Sequence, residues 1–168
     1  MVTAGKYTQE EIFNFLKEIE DPEIPVINIV ELGIVRNVKV DDESVKIEIT
    51  PTYSGCPAMK VIEDQIYQKL KDRGLGKVNI KTVYSPPWTT DWITKETKEK
   101  LRSYGIAPPQ KVTPREIFPF LQEKKEKISC PYCNSSNTVV TSKFGSTPCK
   151  ALHYCNNCQQ PFEEFKCI

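Results

Sequence analysis

The chain has 168 residues with 23 Lys and Arg against 22 Asp and Glu, a formal net charge of +1 with no basic block, so neither nucleic acid nor an anionic membrane surface is an expected partner. Its length allows one modest core and an appendage. Seven cysteines, no apolar signal segment and no membrane-length apolar run lead us to expect a cytoplasmic protein, in a reducing compartment where thiols bind metals or react.

Thr8 and Glu11 are spaced as a capping box, and Ile12, Phe15, Leu16 and Ile19 recur on one helical face, predicting a first helix that Asp21-Pro22 stops. Val38 and Val40, then Val45, Ile47 and Ile49, alternate as two strands joined by the polar turn Asp41-Asp42-Glu43-Ser44, a β-hairpin. A second helix should begin near Pro57, turn Ala58, Val61, Ile62, Ile66 and Leu70 inward, and end at Gly74. A third strand follows at about 77–83, then a short helix at about 94–104 closed by Gly105. The fold class is therefore α+β, a small two-layer domain with helices on one face of a sheet, carrying a C-terminal zinc-ribbon-like appendage. Ala107-Pro108-Pro109 sets the expected boundary: a first domain at 1–109, a linker or short helix at 110–127, and a Cys-rich domain at 128–168.

Cys130-Pro-Tyr-Cys133 and Cys155-Asn-Asn-Cys158, separated by 21 residues, have the spacing of a structural zinc ribbon. Each pair can grip one metal from a single tight turn, and two pairs complete a tetrahedron with no position left for substrate. His153 lies two residues before Cys155, where it could replace a cysteine, although two intact pairs already supply the preferred tetrahedron.

Cys56 falls between a strand end and a helix start, where unpaired N–H groups and the helix dipole favour a thiolate able to hold a metal transiently or act as a nucleophile. The competing reading is a small apolar residue packed beneath the helix. Cys149 and Cys167 exceed what one zinc needs and are accessory thiols or spares. Their tethering to one ribbon by short segments predicts that they lie close to each other or to the metal turns. Asp21 and Glu23 are either an acid/base pair or solvated turn residues. Trp88 and Trp92, on a proline-stiffened stretch, are either partner contacts or lids on the main core.

Asp21-Pro22-Glu23-Ile24-Pro25, Glu31-Leu32-Gly33-Ile34-Val35, the loop ending Gly55-Cys56-Pro57, and Pro86-Pro87-Trp88-Thr89 together resemble the MIP18 family, also called DUF59, over about residues 8–109. Trp88-Thr89-Thr90-Asp91-Trp92, Tyr104 to Pro109, Phe144 to Ala151 and the ending Phe165-Lys166-Cys167-Ile168 are similar to a narrower group, the PaaD-like (PaaJ-like) accessory proteins of phenylacetyl-CoA oxygenase. The resemblance implies an accessory factor, not an enzyme, for assembly or insertion of an iron–sulfur cluster in the phenylacetyl-CoA epoxidase system of aerobic phenylacetate degradation. It implies Cys56 as a functional thiol of low pKa, a transient site for iron or an iron–sulfur cluster, with Asp21 near it. Cys130, Cys133, Cys155 and Cys158 match the tail's metal pairs, with zinc as the expected ion. Cys149 and Cys167 match positions in the PaaD-like tail. The implied partner is an iron–sulfur client, the reductase component of the oxygenase, and a homodimer is a further candidate state. Two alternatives stand beside this reading: a structural zinc-binding subunit docking within the oxygenase complex through Trp88, Trp92 and the ribbon, and a thiol-redox protein using Cys149 and Cys167.

Overall fold

The computed structural model describes residues 7–109 and 128–166. It divides into two compact units, Met1–Trp88 and Thr89–Ile168.

In the first unit, α1 (Gln9–Leu16) starts at the expected capping box: the Thr8 side chain accepts from the Glu11 N–H, and the Glu11 carboxylate accepts from the Thr8 N–H at 2.7 Å. The helix stops well before Asp21, because Glu18 and Ile19 donate to Phe15 and Leu16 in tight i to i−3 turns. Ile19 is still buried, so the apolar periodicity outlasts the helix that it predicts. β1 (Val35–Val40) and β2 (Val45–Ile49) form the expected antiparallel hairpin, with the Asp41 N–H donating to the Ser44 carbonyl at its turn. α2 (Ala58–Asp72) crosses over to β3 (Val78–Thr82), which pairs parallel to β2.

Register places Val38, Ile47 and Ile80 in one row of the sheet. α1 packs on β1, α2 on β3, and the helices on each other, enclosing Ile12, Leu16, Ile47, Ile49, Ile62, Ile66 and Leu70. Val61, expected to face inward, is 46% exposed, because the buried stripe of α2 runs Ala58, Ile62, Ile66, Leu70 at a strict i+4 spacing.

The second unit begins with a 3₁₀ turn at Thr90–Trp92, then α3 (Lys95–Ser103), whose N-terminus is capped by Thr94. Gly105 follows at φ +90°, a left-handed conformation that frees the chain to reverse into β4 (Ile106–Ala107). β5 (Thr138–Ser142), β6 (Lys150–Cys155) and β7 (Pro161–Phe165) make an antiparallel meander, and β4 adds to its β7 edge in parallel, giving the order β4-β7-β6-β5.

The compact units thus part at Trp88 and Thr89, whereas sequence placed a boundary near 109. The physical reason is β4. Ile106 pairs with Glu163 and Ala107 with Glu164, so the segment that sequence assigned to the first domain completes the ribbon's sheet. The expected linker at 110–127 lies outside the described residues.

Candidate metal centre and the Cys56 loop

The two CxxC segments fold as matching turns. Asn134 N–H donates to the Cys130 carbonyl and Gln159 N–H to the Cys155 carbonyl, at 3.0 and 2.9 Å. Cys130 N–H and Cys155 N–H donate in turn to the carbonyls of Ser135 and Gln160. Directly after the second cysteine of each pair, Asn134 and Gln159 take φ of 60° and 58°, a conformation uncommon for residues other than glycine. The same backbone fold at both sites turns each pair of sulfurs toward one point.

The four Sγ atoms lie within 4.8 Å of one another, with Cys130 to Cys158 and Cys133 to Cys155 each at 3.6 Å. A tetrahedron with zinc–sulfur bonds of about 2.3 Å has edges of about 3.8 Å, so the donor set fits one thiolate-bound ion. Cys130 and Cys155 are fully buried and pack with Ala107 and Phe162, while Cys133 and Cys158 are partly exposed. Without a cation the four thiols cannot ionise together. The backbone N–H of Ser135, then the Asn157 side chain, hold Cys133 down to about 6, whereas burial, then the neighbouring Cys133, pushes Cys158 up to about 12. A divalent ion removes that conflict by taking all four as thiolates.

His153 is outside this cluster. It is buried, stacks on Phe162 at 5.3 Å between ring centroids, and its Nε2 meets Glu164 Oε2 at 2.7 Å. No local pattern announces Glu164, since the partnership depends on the β6–β7 register that sets His153 opposite Phe162. Cys149 also stands apart from the sulfur cluster. It precedes β6 whereas Cys155 ends it, so roughly 20 Å of strand separates their Cα atoms. Its Sγ lies 3.0 Å from Thr147 Oγ1, and its carbonyl accepts from Lys166 N–H. Cys149 is thus not at the metal turns; the other arm of the expectation, closeness of Cys149 to Cys167, falls on Cys167, which lies outside the described residues.

In the first unit, Cys56 sits on the loop between β2 and α2, half-buried, with its N–H donating to the Tyr53 carbonyl at 3.1 Å. The low-pKa thiolate expected here is not what the site favours. Burial pushes the thiol up and outweighs the N–H of Ala58, while the charges of Glu23 and Asp21 add to the rise; the N–H of Met59 opposes it least. Asp21 is 5% exposed, and its Oδ1 accepts from the N–H groups of Glu23 and Ile24 at 3.0 and 2.8 Å, so one of its oxygens fixes the Asp21–Ile24 turn.

Trp88 is 7% exposed and donates Nε1–H to the Leu32 carbonyl at 2.9 Å, the placement of a lid on the core. Trp92, in the 3₁₀ turn, is half-buried. The exposed aromatic of that stretch is Tyr84, at 62%. Among the described residues, no helix is long and apolar enough to cross a membrane.

Two sequence families match the chain: "PaaD zinc beta ribbon domain" over residues 116–166 and "Iron-sulfur cluster assembly protein" over residues 9–82. The chain is 44% identical over its full length, and over 98% of the relative's, to a putative 1,2-phenylacetyl-CoA epoxidase component of Escherichia coli strain K12. It is 40% identical over 80 residues, 46% of this chain and 90% of the relative, to the Fe-S protein maturation auxiliary factor SufT of Staphylococcus aureus. Among solved structures, a domain of unknown function DUF59 from Bacillus anthracis matches with a TM-score of 0.52 and 26% identity, covering 55% of this chain and 90% of that one.

Proposed function

The chain belongs to the PaaD family, an iron–sulfur assembly domain joined to a zinc β-ribbon, and from that premise we propose that it is an accessory factor for iron–sulfur cluster assembly or insertion in the phenylacetyl-CoA epoxidase system. The observation that carries the reading is the likeness to the Escherichia coli epoxidase component from one end of the chain to the other. Protein partners follow from that role, and the client we propose is the reductase component of the oxygenase. The protein acts on that client and not as the oxygenase itself.

Cys130, Cys133, Cys155 and Cys158 would hold one zinc ion, which supplies a rigid crosslink between the two turns and no catalytic step. Iron or a cluster is cargo, and Cys56 is its transient holding point. The raised thiol suits release. At neutral pH it rests as S–H, must give up its proton to bind iron, and recovers that proton when iron leaves. The carboxylates of Glu23 and Asp21, which oppose a bare thiolate, would attract the incoming cation.

The test is to express the reductase component with and without this protein and to measure its iron and acid-labile sulfide. A client filled equally well in both cases overturns the reading. Co-purification with the oxygenase at fixed stoichiometry, with no effect on cluster content, would favour a structural subunit instead.

A further inference from the structure

The internal hydrogen bonds of the two CxxC turns hold each turn in shape but leave open what holds one turn against the other. Asn157 answers part of that. It belongs to the second turn, yet its Nδ2 donates to Cys133 Sγ of the first at 3.7 Å. Its neighbour Asn156 anchors the same turn to the start of β5, donating its backbone N–H to the Asn137 carbonyl at 2.9 Å and its Nδ2 to Asn137 Oδ1 at 3.1 Å. The first turn does not return the contact. Its residue equivalent to Asn157 is Tyr132, whose side chain has no N–H and is 57% exposed.

We propose that Asn157 is a positioning residue of the metal centre, fixing Cys133 against the second turn through an N–H···S contact and leaving Cys158 as the more reactive of the two accessible sulfurs. Each accessible sulfur has a sulfur neighbour at 3.6 Å and one backbone N–H, that of Ser135 for Cys133 and that of Gln160 for Cys158; among the hydrogen bonds described, Cys133 accepts in addition from a side-chain N–H, that of Asn157. Each N–H draws electron density from the sulfur, so the twice-bonded thiolate is the poorer nucleophile and the better-oriented ligand. Cys130 and Cys155 are buried, so an incoming reagent meets Cys133 or Cys158 first. The inference rests on the reading that the ribbon holds a metal, and its test separates the two.

Zinc affinity of the full chain is measured by chelator competition for the wild type, Asn157→Ala and Asn157→Asp. A wild type that binds no zinc would sink the metal reading itself. With zinc bound, Asn157→Ala should bind ten- to a hundredfold more weakly, the usual cost of losing an outer partner of a ligand. Asn157→Asp, near in shape and equally suited to the turn, should be weaker still, because it replaces a donor with a negative charge beside a thiolate. A purely structural role would rank Asp nearest the wild type, and that order overturns the proposal. Limited iodoacetamide labelling of the zinc-loaded protein, mapped by mass spectrometry, should reach Cys158 first in the wild type and Cys133 as readily in Asn157→Ala; identical patterns overturn it. Independently of any variant, the wild type loaded with an NMR-active cadmium isotope should show coupling from the Asn157 side-chain protons to the metal, and no coupling counts against the contact.

Discussion

The indole of Trp88 closes over the first unit by donating to the backbone carbonyl of Leu32, 56 positions earlier in the chain, at 2.9 Å. Leu32 lies in the turn just before β1, and both residues are buried, so the bond pins the exit of β3 to the entrance of the sheet.

Trp88→Phe keeps most of the apolar area but leaves the Leu32 carbonyl without this partner. The expected loss is about 1–3 kcal/mol of stability, read from urea unfolding followed by far-UV circular dichroism. Zinc content should be unchanged, as should client maturation if Trp88 is a lid and not a contact.

Alkylation of Cys56 should be slow at pH 7 and should climb through and beyond the ordinary thiol range near about 8.5, because a raised thiol pKa leaves little thiolate at neutral pH. Glu23→Gln removes one of the charges that raise it, so the rate at pH 8 should increase while the limiting rate at high pH stays the same. A plateau already reached at pH 6 would mean that the helix-start N–H groups dominate after all.

Removing the metal with a chelator should cost the second unit its structure and spare the first. Ala107 packs with Cys130, Cys155 and Phe162, so the loss should reach β4 as well as the ribbon strands. A structural zinc site of this kind contributes roughly 10–16 kcal/mol of apparent folding free energy, far more than a sheet this small can replace. Hydrogen exchange is the measurement: amides of β4, β6 and β7 should lose protection on chelation while those of β1 and β2 keep it. Protection unchanged throughout would show that the cysteines fold the ribbon without an ion.

Gly105→Ala should destabilise the second unit by about 1–2 kcal/mol, the cost of holding a side chain in the left-handed region. A Cβ there would also lie 2.6 Å from the Tyr132 hydroxyl. Tyr132 is largely exposed and can swing away, so the backbone conformation should set most of the cost. Gly105→Ala in a Tyr132→Ala background should therefore lose nearly as much, as judged by thermal unfolding.

What sequence made legible was local chemistry. The Thr8–Glu11 box, the alternation of Val45, Ile47 and Ile49, and the start of α2 after Pro57 each depend on neighbours a few residues away, and each is found in place. The CxxC spacing likewise announced the four-sulfur cluster, because two residues between cysteines already fix a turn. What it missed depends on pairing across long separations. The parallel addition of β4 to β7, the His153–Glu164 contact and the reach of Asn157 to Cys133 are set by register, which no local pattern records. Cys56 is a different kind of miss. Its place at a helix start is visible in sequence, but burial and two carboxylates brought in from the Asp21–Glu23 turn reverse the sign of the effect.

The pairing of Ile106 with Glu163 spans 57 residues (163 − 106), whereas Tyr154 and Pro161 in the β6–β7 hairpin are only 7 apart (161 − 154). Eight times the separation is three doublings of loop length, about 2 kcal/mol more closure entropy on a flexible-chain estimate. The hairpin that carries Cys155 and Cys158 therefore has a head start, and the two-residue β4 has too few backbone bonds to recruit β7 by itself. Assembly of the second unit has a direction: hairpin and sulfur cluster first, then capture of a strand made much earlier in the chain. Refolding after a rapid addition of metal should show β4 amides gaining protection in a later phase than those of β6.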